Sequence, residues 1–144
     1  NKKAGQIGAT GSNFVNSHGL HDDMQYTTAY DMYLIFNKLL KYDTFRSIIN
    51  KESYEAKYSD KNGNEKSKSF KSTNLYLTGE ATVQSDDIEI IGGISGSTKK
   101  SGSCMILLCK NGNNTEYIAV ILNASSNNSL YSQMSYLLSL SSSR

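Results

Sequence analysis

The chain has 144 residues, 15 of them Lys or Arg against 13 Asp or Glu, for a formal net charge of +2. That length suffices for one hydrophobic core, and so mild a balance argues against a nucleic-acid partner or an anionic membrane surface. No stretch approaches the ~18 consecutive apolar residues of a membrane span, and no charged-then-apolar leader is visible, although Asn1 is not a natural first residue.

Residues 1–8 read as a helix tail stopped by Gly8. Residues 9–25 are polar and irregular. Thr28 is placed to cap the next helix through its hydroxyl, with Asp31 favourable in the positive first turn. Ala29, Met32, Tyr33, Phe36, Leu39 and Leu40 recur at helical spacing and are expected to form its buried stripe. A shorter helix over 44–49 should bury Phe45, Ile48 and Ile49.

Strand character follows. Tyr54, Ala56 and Tyr58 alternate with polar residues, and Asp60-Lys-Asn-Gly-Asn64 is a turn signal. Residues 66–73 read as an exposed return strand with only Phe70 to bury. Ile88-Glu-Ile-Ile91 runs into Gly92-Gly-Ile-Ser-Gly-Ser-Thr98. Residues 104–108 and 117–122 are apolar strands joined across Lys110-Asn-Gly-Asn-Asn114, a hairpin. A last helix from near Asn128 carries Leu130, Tyr131, Met134, Leu137 and Leu138 on one face, and the serine-rich end from Ser139 is expected to fray. Helices, then antiparallel strands, then a helix make an α+β pattern with no linker and no repeat.

Cys104 and Cys109 fall on one apolar strand, their Cα atoms roughly 16 Å apart at ~3.3 Å per residue. A disulfide needs those atoms within about 7 Å, so the two are expected to be unpaired, small buried hydrophobes. His18 and His21 stand at His-x-x-His spacing beside Asp22 and Asp23, a pattern that has to be weighed as a metal site. The lysines between Lys57 and Lys71 read first as a solvated hairpin, and second as a contact for anionic wall polymers.

Two stretches carry a family resemblance. Phe14-Val-Asn-Ser-His-Gly-Leu-His-Asp22 and Tyr26-Thr-Thr-Ala-Tyr-Asp-Met32 resemble the Phe-x-Asn-Pro-His-Gly-Leu segment and the Thr-Thr-Ala-Tyr-Asp helix start of bacterial D-alanyl-D-alanine carboxypeptidases, of the low-molecular-mass penicillin-binding type. Lys71-Ser-Thr-Asn-Leu75, Gly92-Gly-Ile-Ser-Gly-Ser-Thr98 and Ser101-Gly-Ser-Cys104 resemble that family's approach to its Lys-Thr-Gly strand and the strand after it. Ala119-Val-Ile-Leu-Asn-Ala124 and Leu130-Tyr-Ser-Gln-Met134 also fit.

The resemblance implies a partial β-lactamase/transpeptidase-like fold, an antiparallel sheet with flanking helices. Residues 1–144 would form a single incomplete domain, 1–50 part of the helical subdomain and 51–144 the sheet core with the C-terminal helix. The first strands and the nucleophile helix would lie upstream of Asn1. It further implies a serine-type peptidase acting on peptidoglycan, extracytoplasmic, with no cofactor and no metal. His18 becomes a cleft-wall residue in that reading, as does Thr98.

Such enzymes need Ser-x-x-Lys for the nucleophile and its base, Ser-x-Asn to relay protons, and Lys-Thr-Gly on an edge strand along which the peptide lies. Here Ser97-Thr-Lys-Lys100 is the only Ser-x-x-Lys, and it falls in a turn between strands. Ser72-Thr-Asn74 and Ser125-Ser-Asn127 match Ser-x-Asn, a pattern expected by chance in so Ser- and Asn-rich a chain. Ile94-Ser95-Gly96 stands where the family has Lys-Thr-Gly; serine keeps the hydroxyl, but isoleucine removes the cation. The expectation is therefore a portion of a carboxypeptidase, inactive alone. Peptidoglycan stem peptide or a β-lactam would bind only when the missing half completes it, and the chain would form a homo-oligomer or a complex with that half. The alternatives are a degenerate module that binds wall peptide or a protein, and a structural module reusing the fold.

Overall fold

The computed structural model describes residues 1–85 and 87–141. Three helices come first: α1 (Lys2–Gln6), α2 (Ala29–Leu39) and α3 (Asp43–Ile49). A two-stranded antiparallel hairpin, β1 (Ser53–Ser59) and β2 (Glu65–Lys71), stands apart from a three-stranded antiparallel sheet of β3 (Ile88–Thr98), β4 (Gly102–Asn111) and β5 (Glu116–Ala124). Helix α4 (Asn127–Ser139) closes the chain.

The caps fall where the hydroxyls are. Thr28 Oγ1 accepts from the Asp31 N–H at 3.0 Å, and Ser126 Oγ accepts from the Ser129 N–H at 3.1 Å. Each satisfies one of the donors a helix start leaves unpaired.

The order in the larger sheet is β3-β4-β5, which makes β4 the central strand. It is apolar without alternation because both its faces are covered. Met105, Leu107 and Cys109 pack against Leu130, Met134 and Leu138 of α4. Ile106 and Leu108 pack against Phe36, Leu40 and Ile49 of α2 and α3. Each such buried side chain contributes about 1.5–3 kcal/mol over its exposed state. Three layers result: α4, the sheet, then α2 with α3. Both cysteines are free.

Several side chains expected inside lie outside. Ala29 and Tyr33 are exposed, because α2 leans on β5 and reaches the core chiefly through Phe36 and Leu40. Asp31 is buried in their place, its carboxylate accepting from Ser12 Oγ at 2.6 Å. Ile48 is exposed, since the short α3 meets the core through Ile49 with Phe45 half-buried beside it. Leu137 is exposed on α4, turned away from the stripe Leu130, Met134 and Leu138. Phe70 is exposed too, because the hairpin presents both its faces to solvent. At the chain end, the Ser141 hydroxyl donates to the Leu138 carbonyl at 2.6 Å; residues 142–144 of the serine-rich tail lie outside the described residues.

Candidate functional site

Strand β3 is one edge of the sheet, and Ile94, Ser95 and Gly96 sit along it opposite Ile106, Met105 and Cys104. Two glycines just upstream set what can approach. A Cβ at Gly92 would stand 2.7 Å from the Ile49 carbonyl oxygen, and one at Gly93 would stand 2.5 Å from that of Ile106 and 3.2 Å from Asn74 Nδ2. Only hydrogen fits there, so the end of α3 and the side chain of Asn74 press directly against the strand.

Asn74 belongs to a turn laid beside that edge. The Ser72 N–H donates to the Glu52 carbonyl at 2.7 Å and closes the hairpin; the Asn74 N–H donates to Ser72 Oγ at 3.2 Å. Asn74 Oδ1 accepts from the Tyr76 N–H at 3.1 Å, and Tyr131 Oη of α4 accepts from the Leu75 N–H at 2.8 Å. Thr73, thus held, brings its Oγ1 to 2.7 Å from Ser95 Oγ. Burial pushes the Tyr131 and Tyr76 phenols up, which keeps both as neutral hydroxyls. Asn74 is buried, and its Nδ2 has no hydrogen-bond partner among the described residues, a costly arrangement for an amide.

Two cavities flank this edge. The larger, about 750 Å³, lies toward α3 and the root of the hairpin, walled by Phe45, Ile48, Ile49, Tyr54, Phe70 and Ile94. Ser53, Ser72, Thr73, Asn74 and Ser95 supply polar groups, and Lys51 and Lys71 also line it. Lys71 Nζ is 2.7 Å from Glu80 Oε1, a hydrogen bond that raises the lysine pKa and lowers that of the carboxylate. The smaller cavity, about 250 Å³, lies toward α4 and includes Ser95, Ser97, Cys104, Asn127 and Tyr131.

Among the described residues neither lining includes a carboxylate or an imidazole. A serine becomes a nucleophile when a base sits beside it, and of the two lysines lining the larger cavity Lys71 is hydrogen-bonded to Glu80, which raises its pKa. Ser95 and Thr73 thus place two mutually hydrogen-bonded hydroxyls along the β3 edge, with no carboxylate or imidazole in either lining. Ile94 is 46 % exposed and extends the apolar wall where the resemblance puts a cation.

Other residues of interest lie elsewhere. Ser97 is the penultimate residue of β3, with Lys99 and Lys100 in the following turn, so that Ser-x-x-Lys is on no helix. Thr98 Oγ1 lies 2.8 Å from Ser101 Oγ and accepts from the Ser101 N–H at 2.9 Å, shaping the same turn. His18 is exposed, its Nδ1 accepting from the Leu20 N–H at 3.2 Å; neither it nor Thr98 lines either cavity. His21 Nε2 lies 2.9 Å from Asp23 Oδ1, and no group of three or more His, Cys, Asp or Glu side chains gathers among the described residues. Asn127 of the other Ser-x-Asn accepts from Ser103 Oγ at 2.8 Å and serves the start of α4. Ser95 was legible within the in-frame triplet, whereas its partner Thr73 and the buried Asn74 were not legible as site residues, although Ser72-Thr-Asn74 matches the short Ser-x-Asn pattern.

A profile of D-alanyl-D-alanine carboxypeptidases matches residues 1–126, and the chain belongs to that family. Among solved structures, a mutant of a Streptomyces DD-transpeptidase superposes with TM-score 0.83 at 22% identity, over 96% of this chain and 50% of that one. The crystal structure of the same Streptomyces enzyme gives 0.79 at 22% identity, over 97% and 52%. A D-alanyl-D-alanine carboxypeptidase from Mycobacterium tuberculosis gives 0.78 at 19% identity, over 100% and 52%. The chain thus spans about half the length of the solved structures it matches. No curated protein sequence matches it significantly.

Proposed function

We propose that this chain is the sheet side of a peptidoglycan D-Ala-D-Ala peptidase, extracytoplasmic, and catalytically silent until a second segment supplies the nucleophile. The observation that carries the reading is the β3 edge: a strand with free backbone groups, Ser95 hydrogen-bonded to Thr73, and an apolar cavity beside it. A peptide laid along such an edge gains backbone hydrogen bonds from the strand and a side-chain pocket from the wall.

Sequence and geometry support the silence together. No Ser-x-x-Lys stands at a helix start among the described residues, and no base neighbours Ser95. The nucleophile, its lysine and the Ser-x-Asn relay would all come from the other segment, which would also pair with the far edge of the sheet along β5. His18 and Thr98 would then stand as walls of the completed cleft.

The test is reconstitution. The chain is mixed or co-expressed with a family segment carrying Ser-x-x-Lys and Ser-x-Asn, and acylation by a fluorescent penicillin is followed. Adduct on that segment's serine only when both are present supports the reading; adduct formed equally without this chain contradicts it. A second reading, a non-catalytic module that binds wall peptide, is favoured by Ile94 alone, and in it the reconstituted pair would bind peptide without turnover.

A further inference from the structure

Isoleucine at position 94 removes a cation from the β3 edge, yet the larger cavity beside that edge still holds two. Lys51 and Lys71 line it and, among the described residues, no aspartate or glutamate does, so every formal charge in the lining is positive. The two lysines differ in what already engages them. Lys71 Nζ is bonded to Glu80 Oε1 at 2.7 Å, a carboxylate that stands outside the lining. Lys51 makes no ion pair among the described residues, and its Nζ lies 5.6 Å from the ring centroid of Tyr54, which walls the same cavity. A ring face attracts an ammonium through its quadrupole and leaves its charge intact.

The chain roots Lys51 beside the strand. Its N–H donates to the Ile48 carbonyl at 3.2 Å, at the end of α3 where a Cβ on Gly92 would stand 2.7 Å from the Ile49 carbonyl oxygen. One residue on, the Glu52 carbonyl accepts from the Ser72 N–H at 2.7 Å, which ties the same segment to the turn bearing Thr73 and Asn74. A charged ligand end in this lining is matched only if it is negative: a second cation meets like charge, whereas an anion pairs with Lys51. The Thr73 and Ser95 hydroxyls, 2.7 Å apart, and Asn74 Nδ2, without a partner among the described residues, are donors of the kind a carboxylate accepts. One unengaged ammonium balances the single charge of a carboxylate, while a phosphate monoester, carrying about −1.5 to −2 at neutral pH, is left with charge to spare. The rest of the wall is chiefly apolar, so the body behind that carboxylate is uncharged.

We infer that Lys51 is the residue that recognises a ligand's carboxylate in this cleft, the free C-terminus of a peptide lying along β3, and that the cation absent from position 94 is thereby supplied from the segment after α3. This deepens the proposed function and rests on it for the peptide. The lining belongs wholly to this chain, so the contact is readable without a second segment.

The test is an NMR titration of the isotope-labelled chain with N-acetyl-D-alanyl-D-alanine and, separately, with the same dipeptide amidated at its C-terminus, at low and at high salt. The probes differ only in the carboxylate. The free acid is expected to bind about threefold or more tightly than the amide, with shifts at Lys51, Thr73 and Ser95 and a preference that salt weakens. Lys51→Gln should erase the preference, Lys51→Arg should keep it, and Lys57→Gln, at a residue outside the lining, should leave it unchanged. Lys51 and Lys57 are exposed, so folding is kept, and circular dichroism verifies that. Equal affinity for acid and amide overturns the inference, as does a preference that survives Lys51→Gln, or no binding of either probe. Reconstituted acylation reads the proposed function separately: acylation without a Lys51-dependent preference refutes only the assignment of Lys51, and that preference without acylation refutes only the peptidase reading.

Discussion

The position of Ile94 offers the sharpest chemical perturbation. Ile94→Lys would restore a cation to the edge strand in the pair formed with a segment carrying the nucleophile. The substitution is structurally cheap: burying an isoleucine fully contributes about 1.5–3 kcal/mol, and this one is already 46 % exposed, leaving about 1 kcal/mol at stake. A lysine stem covers part of the same wall while its ammonium stays in water, so the net cost falls below that. Lys71 adds little repulsion, since Glu80 neutralises it at 2.7 Å. On the gain side, a preorganised electrostatic contact of this kind carries about 3 kcal/mol of transition-state stabilisation. Recovering even ~1.4 kcal/mol accelerates acylation tenfold. The assay is the acylation rate of the reconstituted pair with a fluorescent penicillin, parent against Ile94→Lys. An unchanged rate in a variant with an unchanged melting temperature would refute the assignment of Ile94 to the family's lysine position.

Three other outcomes follow from the same geometry. Among the described residues strand β5 is an edge, with the uncharged run Tyr117-Ile-Ala-Val-Ile-Leu122 along it, paired with β4 on one side and with no strand on the other, a side that invites another strand. Light scattering coupled to size exclusion should therefore give a dimer or larger at micromolar concentration, and a monodisperse monomer that unfolds cooperatively would refute this. The Cys109 thiol is buried and pushed up to about 12, so a thiol reagent at pH 8 should modify Cys104 in the native chain and reach Cys109 only on unfolding. Finally, Arg46 grips Glu116 through two bonds of 3.0 and 2.8 Å, and that hydrogen bond holds the carboxyl below its ordinary range. A depressed carboxylate stabilises at neutral pH and loses that contribution as pH falls through its lowered folded value. Both side chains are half-exposed, so Glu116→Gln should cost only about 0.5 kcal/mol at pH 7 and flatten the acid limb of the unfolding curve.

The sheet was legible because its signals are redundant. Asn-Gly at the β4–β5 turn, the unbroken apolar run through Met105 to Cys109, and the stripe of Leu130, Met134 and Leu138 all specify one packing. Burial on the peripheral elements was less legible: Tyr33, Ile48, Phe70 and Leu137 have the right spacing, yet spacing does not say how far a neighbouring layer extends. Asp31 shows the converse, a charge taken inside because Ser12, sixteen residues before Thr28, folds back to bond it. At the candidate site, Ile94, Ser95 and Gly96 were visible as an in-frame triplet. Thr73 and Asn74 were not, since their importance comes from a turn anchored by Tyr131, a contact that links residues 56 apart.

Whether the proposed peptide-binding edge comes without a nucleophile of its own is read by intact-mass spectrometry of the chain alone after incubation with excess labelled penicillin. The unmodified mass is expected. A stoichiometric adduct mapped to any serine, Ser97 or Ser95 above all, would contradict it.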